Sequence, residues 1–255
     1  MLDSGAFTSW SRGEHITLNE VMRNYRRIVD TYAQFYKTIY MINLDVIPGS
    51  KGVTPNRSQV DAALVESDKN YEILSKEFGD VVIPVFHQGE EPERLHEVAS
   101  QNPSYICVSP RNDLNEQQRI PWAQEVHQEI PGIATHGLAA TGVDMMTKVP
   151  WHSVDSASWV MHAGYGGIIV QNRRGFTLLS VSRESPNRRF YRSHYENSGP
   201  DIQRIVQNQA ESLDLTISEL QQLPGAREYF NLMTLASISK RPTIKVPVQR
   251  HLWGF

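Results

Sequence analysis

Three aspartates, Asp3, Asp45 and Asp155, each close a short apolar run and are followed at once by loop-forming residues, so their side chains would converge at one mouth of the sheet those runs build. Two carboxylates in one cleft can divide the work of nucleophile and general acid/base, the arrangement that breaks glycosidic bonds through an oxocarbenium-like transition state. A third could read a ligand's hydrogen-bond donors. An Asp after a strand is also an ordinary cap for a helix or turn, and for each residue alone the two readings stand level; three in equivalent positions favour a site. Gln88 and Gly89 follow the run VVIPVFH, and an amide that both donates and accepts suits the edge of a purine-like base, although a Gln-Gly pair alone is an ordinary turn. His136 and Gly137 end a later run; the histidine alone reads as structural, while the glycine would let a ligand approach the backbone. Phe7, after the small-residue turn Ser4, Gly5 and Ala6, could hold a ring over a flat base, with an ordinary core aromatic as the competing reading.

The elements that must position these residues follow from hydrophobic periodicity. Apolar runs at 1–3, 38–45, 81–87, 104–108, 132–136 and 152–155 alternate with polar segments of helical period at about 19–36, 57–78, 91–101, 115–129 and 140–148. Asn19, beside Leu18, and Asn56 read as helix starts. This alternation predicts an α/β protein of successive βα units. Polar residues close almost every run, which favours a (β/α) TIM-type barrel, irregular or shortened, over a doubly wound sheet with one switch point. From about residue 165 the runs GGIIVQ and FTLLSVS predict a β-hairpin insertion, with a basic hairpin and loop over about 165–198. Helices are expected at 199–213, 217–223 (capped by Thr216) and 226–238, then an extended tail over 242–255 carrying Pro242 and Pro247. With 255 residues and no distinct linker, the chain reads as a single domain over 1–255.

Composition narrows the class. Hydrophobic residues at 40% and charged residues at 21% exclude disordered and low-complexity chains, and the single cysteine, Cys107, excludes an internal disulfide or a Cys-rich zinc cluster. A start without a charged n-region and apolar h-region, and no apolar stretch of about 18 residues, predict an unsecreted protein without a membrane partner, in a reducing, cytoplasmic setting. Residues 1–150 hold 13 Lys and Arg against 20 Asp and Glu, and residues 151–255 hold 12 against 8. Over 171–192, Arg173, Arg174, Arg183, Arg188, Arg189 and Arg192 face one acid, Glu184, with Phe176, Phe190, Tyr191 and Tyr195 close by. Basic residues interleaved with aromatics suit single-stranded nucleic acid. A solvated hairpin face with its aromatics in the core is the alternative, and the acidity of the remaining chain favours the first.

At these residues the chain resembles the tRNA-guanine transglycosylase superfamily, which exchanges guanine for a 7-deazaguanine. LDSGAF at 2–7 is similar to its aspartate-Ser-Gly-Gly-aromatic motif, NLDVIPG at 43–49 to its base-recognising aspartate segment, and HQG at 87–89 to its Gln-Gly motif. THGLAATGVDMM at 135–146 is similar to its Gly-containing strand and following helix, and SVDSASW at 153–159 to the segment bearing its nucleophile. The five matches keep family order over residues 2–159.

The resemblance implies that Asp155 is the nucleophile and Asp3 the acid/base, that Asp45 and Gln88 with Gly89 read the base, and that Phe7 and His136 with Gly137 enclose it. Three features depart from the tRNA enzymes: the Cys-rich zinc motif is missing, no basic segment directly follows Asp155, and a Gly-Gly pair is replaced around Val108 and Ser109. The chain thus looks more like the phage-type DNA 7-deazaguanine transglycosylases. That branch implies DNA, single-stranded or with an extruded base, and a free 7-deazaguanine such as 7-cyano-7-deazaguanine as partners, no metal or other cofactor, and the host cytoplasm if the chain is phage-encoded. The alternatives are a related enzyme acting on RNA, a barrel glycoside hydrolase using Asp3 and Asp155, and a non-catalytic nucleic-acid-binding protein.

Overall fold

The computed structural model describes residues 1–49, 53, 55–102, 104–111, 113–172, 175–189 and 193–239. The expected tail lies outside them, as do Arg173, Arg174 and Arg192 of the basic segment and its aromatics Phe190 and Tyr191. The protein is mixed α/β with parallel sheets, and the chain divides into two compact units, Met1–Arg111 with Gln128–Gly137, and Asn112–His127 with Leu138–Phe255. Among the described residues no helix is long and apolar enough to cross a membrane.

The first unit opens with α1 (Ala6–Arg12) and α2 (Leu18–Tyr32). The start of α2 corrects the expected one. Thr17, not Asn19, is the cap: its hydroxyl accepts the Glu20 N–H at 3.3 Å while the Glu20 carboxylate accepts the Thr17 N–H at 2.8 Å. This reciprocal box satisfies two otherwise orphaned donors, and it leaves Asn19 inside the first turn. Asn56 caps α3 (Arg57–Phe78) as expected, through a second box with Gln59.

The strands are shorter than their apolar runs. Of residues 38–45 only β1 (Met41–Ile42) is strand, and the run at 1–3 contributes Leu2, which bridges Met41 in parallel. Residues 82–87 form β2 (Val82–Ile83) and β3 (Val85–His87), separated by Pro84. Proline has no N–H to give the ladder, but its carbonyl still accepts the Cys107 N–H at 2.8 Å. After α4 (Pro92–Gln101) come β4 (Tyr105–Ser109) and β5 (Ala134–Gly137). Among the described residues of this unit the strand pairings are parallel and join chain neighbours: Leu2 to β1, β1 to β2, β3 to β4, and β4 to β5. Val85, Cys107 and His136 lie in one row, so by strand alternation His87 and Ser109 share their face, while Phe86 and Val108 occupy the other. One core cluster of this unit joins Val21 and Tyr25 of α2, Met41, Leu44, Tyr71 and Leu74 of α3, and Val82.

The second unit contains α5 (Glu116–Glu129) through His127, α6 (Val143–Lys148), β6 (Ser153–Val154) and α7 (Ser158–Gly164). The helix expected over 140–148 starts three residues late because Ala139 and Ala140 are held by hydrogen bonds to Asp155. The hairpin is present as β7 (Gly167–Asn172) and β8 (Gly175–Ser180), antiparallel, followed by α8 (Pro200–Glu211), α9 (Ile217–Gln222) and α10 (Pro224–Ser239). Thr216 caps α9 through a box with Glu219. Ile168, Val170, Leu179 and Val181 pack against Val206, Ala210, Leu220 and Phe230. Buried Asn231 ties α10 to the hairpin, accepting the Ile169 N–H at 2.7 Å.

Candidate functional site

In the first unit the residues predicted from the motifs stand at successive strand ends. Leu2 is held by backbone bonds to Tyr40 and Ile42, which places Asp3 one residue past the bridge. The Asp3 carboxylate accepts the Gly5 N–H at 3.3 Å, and Gly5, at φ 81°, turns the chain into α1. Phe7 follows on that helix. It is 53% exposed, tilted against Trp10 at 5.9 Å, so it is not a core aromatic.

Asp45 lies in the segment after β1, and α3 straps that segment down: the Ser67 hydroxyl accepts the Val46 N–H at 2.8 Å, and the Asn70 amide donates to the Leu44 carbonyl at 2.9 Å. The Asp45 side chain is only 10% exposed, and its Oδ2 is 2.9 Å from Nε2 of His87. Buried Tyr25 donates to the Ile42 carbonyl at 2.7 Å. Its phenol is held well above the ordinary range, first by burial and then by the charges of Asp3, Cys107 and Asp45.

The end of β3 supplies His87, Gln88 and Gly89. Burial disfavours the charged His87 ring, but the hydrogen bond and charge of Asp45 and the charge of Glu90 outweigh burial and Arg94 together, raising the ring to about 9. It is cationic at neutral pH. Glu90 is pushed up, chiefly by burial, against the charges of His87 and Arg94. Gln88 accepts the Arg111 N–H through Oε1 at 3.1 Å, which fixes the amide on the segment after β4 and turns its NH2 group into the remaining donor. Gly89, at φ 107°, occupies backbone space that a side chain would strain. His136 is buried on the face it shares with Cys107, and Gly137 ends β5.

Asp155 belongs to the second unit, just past β6, and is exposed. Its Oδ1 accepts the N–H of Ala139, a residue in the left-handed region at φ 51°, at 3.0 Å, and its carbonyl accepts the Ala140 N–H at 3.1 Å. Of the described arginines in the basic segment, Arg189 is exposed and Arg183 donates to Gln221 Oε1 at 2.9 Å. Arg188 forms an ion pair with Glu196 at 2.7 Å, which holds that carboxyl below its usual range. Glu196 lies just beyond the window counted in the sequence, so the local excess of positive charge is smaller than the window implies. Tyr195 packs against the second unit's core, as the competing reading of the aromatics has it.

The sequence reading missed His87 as a partner of Asp45, and Tyr25 and Glu90 as neighbours. The available signal was a histidine at a strand end directly before Gln88, in an otherwise apolar run. Among the described residues no group of three or more His, Cys, Asp and Glu side chains is arranged to hold a metal ion. Compared with protein-family models, curated proteins and solved structures, the chain matches none.

Proposed function

We propose that this chain is a DNA 7-deazaguanine transglycosylase, exchanging guanine in DNA for a free 7-deazaguanine through a covalent aspartyl intermediate. The observation that carries the reading is the placement of Asp3, Asp45 and Gln88 just past parallel-paired segments of one unit, with the Tyr25 hydroxyl bonded to the Ile42 carbonyl beneath the segment that leads to Asp45. Strand neighbours that follow chain order also favour a (β/α) barrel, since a doubly wound sheet reverses its order at a switch point.

In this reading Asp45 accepts from the N–H donors of the guanine pyrimidine edge and the Gln88 NH2 donates to its carbonyl. Phe7 and His136 offer ring faces. Asp155 attacks the anomeric carbon, forming a C–O bond as the bond to N9 breaks and its electron pair leaves with the base; Asp3 delivers the proton that neutralises the leaving guanine. The incoming 7-deazaguanine then gives its N9 proton to Asp3, and its N9 displaces the Asp155 carboxylate. The two half-reactions balance without an oxidant or reductant. Both bases share the edge that Asp45 and Gln88 would read.

The test is exchange of radiolabelled guanine into DNA, with denaturing electrophoresis to trap the enzyme-DNA adduct. Wild type should incorporate label and form the adduct. Affinity for DNA with no base exchange would leave a binding protein, and exchange into tRNA alone would move the substrate to RNA.

A further inference from the structure

Asp45 can read a base edge only if its carboxylate is turned toward it, and the backbone does not settle that. The hydrogen bonds to Ser67 and Asn70 fix the main chain of residues 44–46, leaving the side-chain torsions open. What meets the carboxylate is His87, at 2.9 Å from Oδ2. The imidazole is itself fixed, because His87 is in register with Ser109 on β4 and its ring lies among Asp45, Glu90 and Arg94. Arg94 is in turn clamped by Asp68 on α3, with contacts of 2.5 and 2.9 Å. The orienting group thus hangs from the sheet and from two helices, while the group it orients hangs from a loop.

We propose that His87 is a positioning residue for base recognition, donating from Nε2 to one oxygen of Asp45 so that the carboxylate is held with its remaining acceptor sites toward the donors of a guanine-type base. The proposal rests on the base-exchange reading of Asp45. It adds a division of labour at the end of β3, where His87 orients the acceptor and the next residue, Gln88, supplies the donor. A carboxylate has about four acceptor positions, so an Asp45 oxygen that accepts from His87 can still accept from the ligand. The ring's positive charge, favoured by Asp45 and Glu90, keeps the Nε2 proton in place through neutral pH.

The experiment separates geometry from bulk. Glutamine places its amide nitrogen near the position of histidine Nε2, whereas asparagine stops short of it. His87→Gln should therefore keep the KM for free guanine within about threefold of wild type, while His87→Asn and His87→Leu should raise it by about tenfold or more, the size expected for losing one hydrogen bond to a charged group. kcat at saturating guanine should change much less. Equal losses in His87→Gln and His87→Asn at similar melting temperatures would overturn the proposal, as would a loss confined to kcat, because a structural histidine would not discriminate two neutral amides by reach.

A second measurement tests the pair without the reaction. Titrating the His87 ring by NMR should give a value near 9 in wild type, and Asp45→Asn should bring it back toward the ordinary 6.5. An unchanged titration would overturn the pairing itself. If the ring responds as expected but wild type neither binds nor exchanges guanine at any pH, the base-exchange reading has failed and the base-orienting role is overturned with it, although the ion pair stands.

Discussion

Asp155 accepts a backbone N–H from Ala139, a bond that an amide oxygen makes equally well. Asp155→Asn should therefore keep the local turn and remove only the proposed nucleophile; the base-exchange proposal then expects guanine exchange and adduct formation to be abolished while melting temperature and nucleic-acid affinity stay near wild type. Exchange near the wild-type rate would assign the nucleophile to another carboxylate. Asp45→Ala and Gln88→Ala should instead weaken guanine binding, by about 0.5–3 kcal/mol for each lost hydrogen bond, and leave nucleic-acid affinity almost unchanged; equal losses in both affinities would make these residues supports of the sheet. The places of Asp3, Asp45, Gln88 and Asp155 just past a strand or bridge could be read from the sequence because each follows an apolar run, and a run's end is a local property. The role of His87 could not. Its partner follows another strand, and the alignment of β1 beside β2, which runs on through Pro84 into β3, brings the two together.

The elements were legible where local chemistry decides them and less so where tertiary contacts do. Asn56 and Thr216 start helices because their side chains and the residues three positions on satisfy each other, a pattern visible in four letters. The same pattern, Thr17 to Glu20, outranks the isolated Asn19. Strand length is a different matter, since it depends on how far a neighbour runs alongside: the apolar run at 38–45 yields two residues of strand because β2 ends at Ile83, before Pro84. Gly166 shows such a tertiary constraint in the second unit. It sits at φ 85°, its carbonyl accepts the N–H groups of Val181 and Ser182, and a Cβ there would meet the Ser182 Cβ at 2.6 Å. Gly166→Ala combines left-handed strain with a steric clash and should destabilise the hairpin by roughly 1–3 kcal/mol or more. Chemical denaturation would check this, and a variant as stable as wild type would mean that the turn relaxes freely.

At the scale of the whole molecule the decisive property is charge. A net charge of −3 makes the chain a poor general binder of polyanions, so the proposed binding to nucleic acid would have to come from a local surface, and the arginines of residues 171–192 are the strongest candidate. They are not equivalent. Arg188 is tied to Glu196 and must share its charge, Arg183 is hydrogen-bonded to Gln221, and Arg189 is exposed on the short turn Pro186–Arg189. A phosphate contact by Arg189 would release about one counterion, so Arg189→Gln should flatten the logarithmic salt dependence of binding by roughly 0.7 to 0.9, independent of sequence. Arg188→Gln should flatten it less, because its charge is already partly neutralised, and it leaves Glu196 without that cation. Base exchange should survive in both variants at high DNA concentration, since neither arginine is assigned to the chemistry. Measuring binding to single-stranded DNA, duplex DNA and tRNA across a salt series tests surface and substrate together: the DNA reading expects tighter binding and exchange on DNA. An unchanged slope in Arg189→Gln would place the phosphate contacts elsewhere, and exchange on tRNA alone would reject DNA as the substrate.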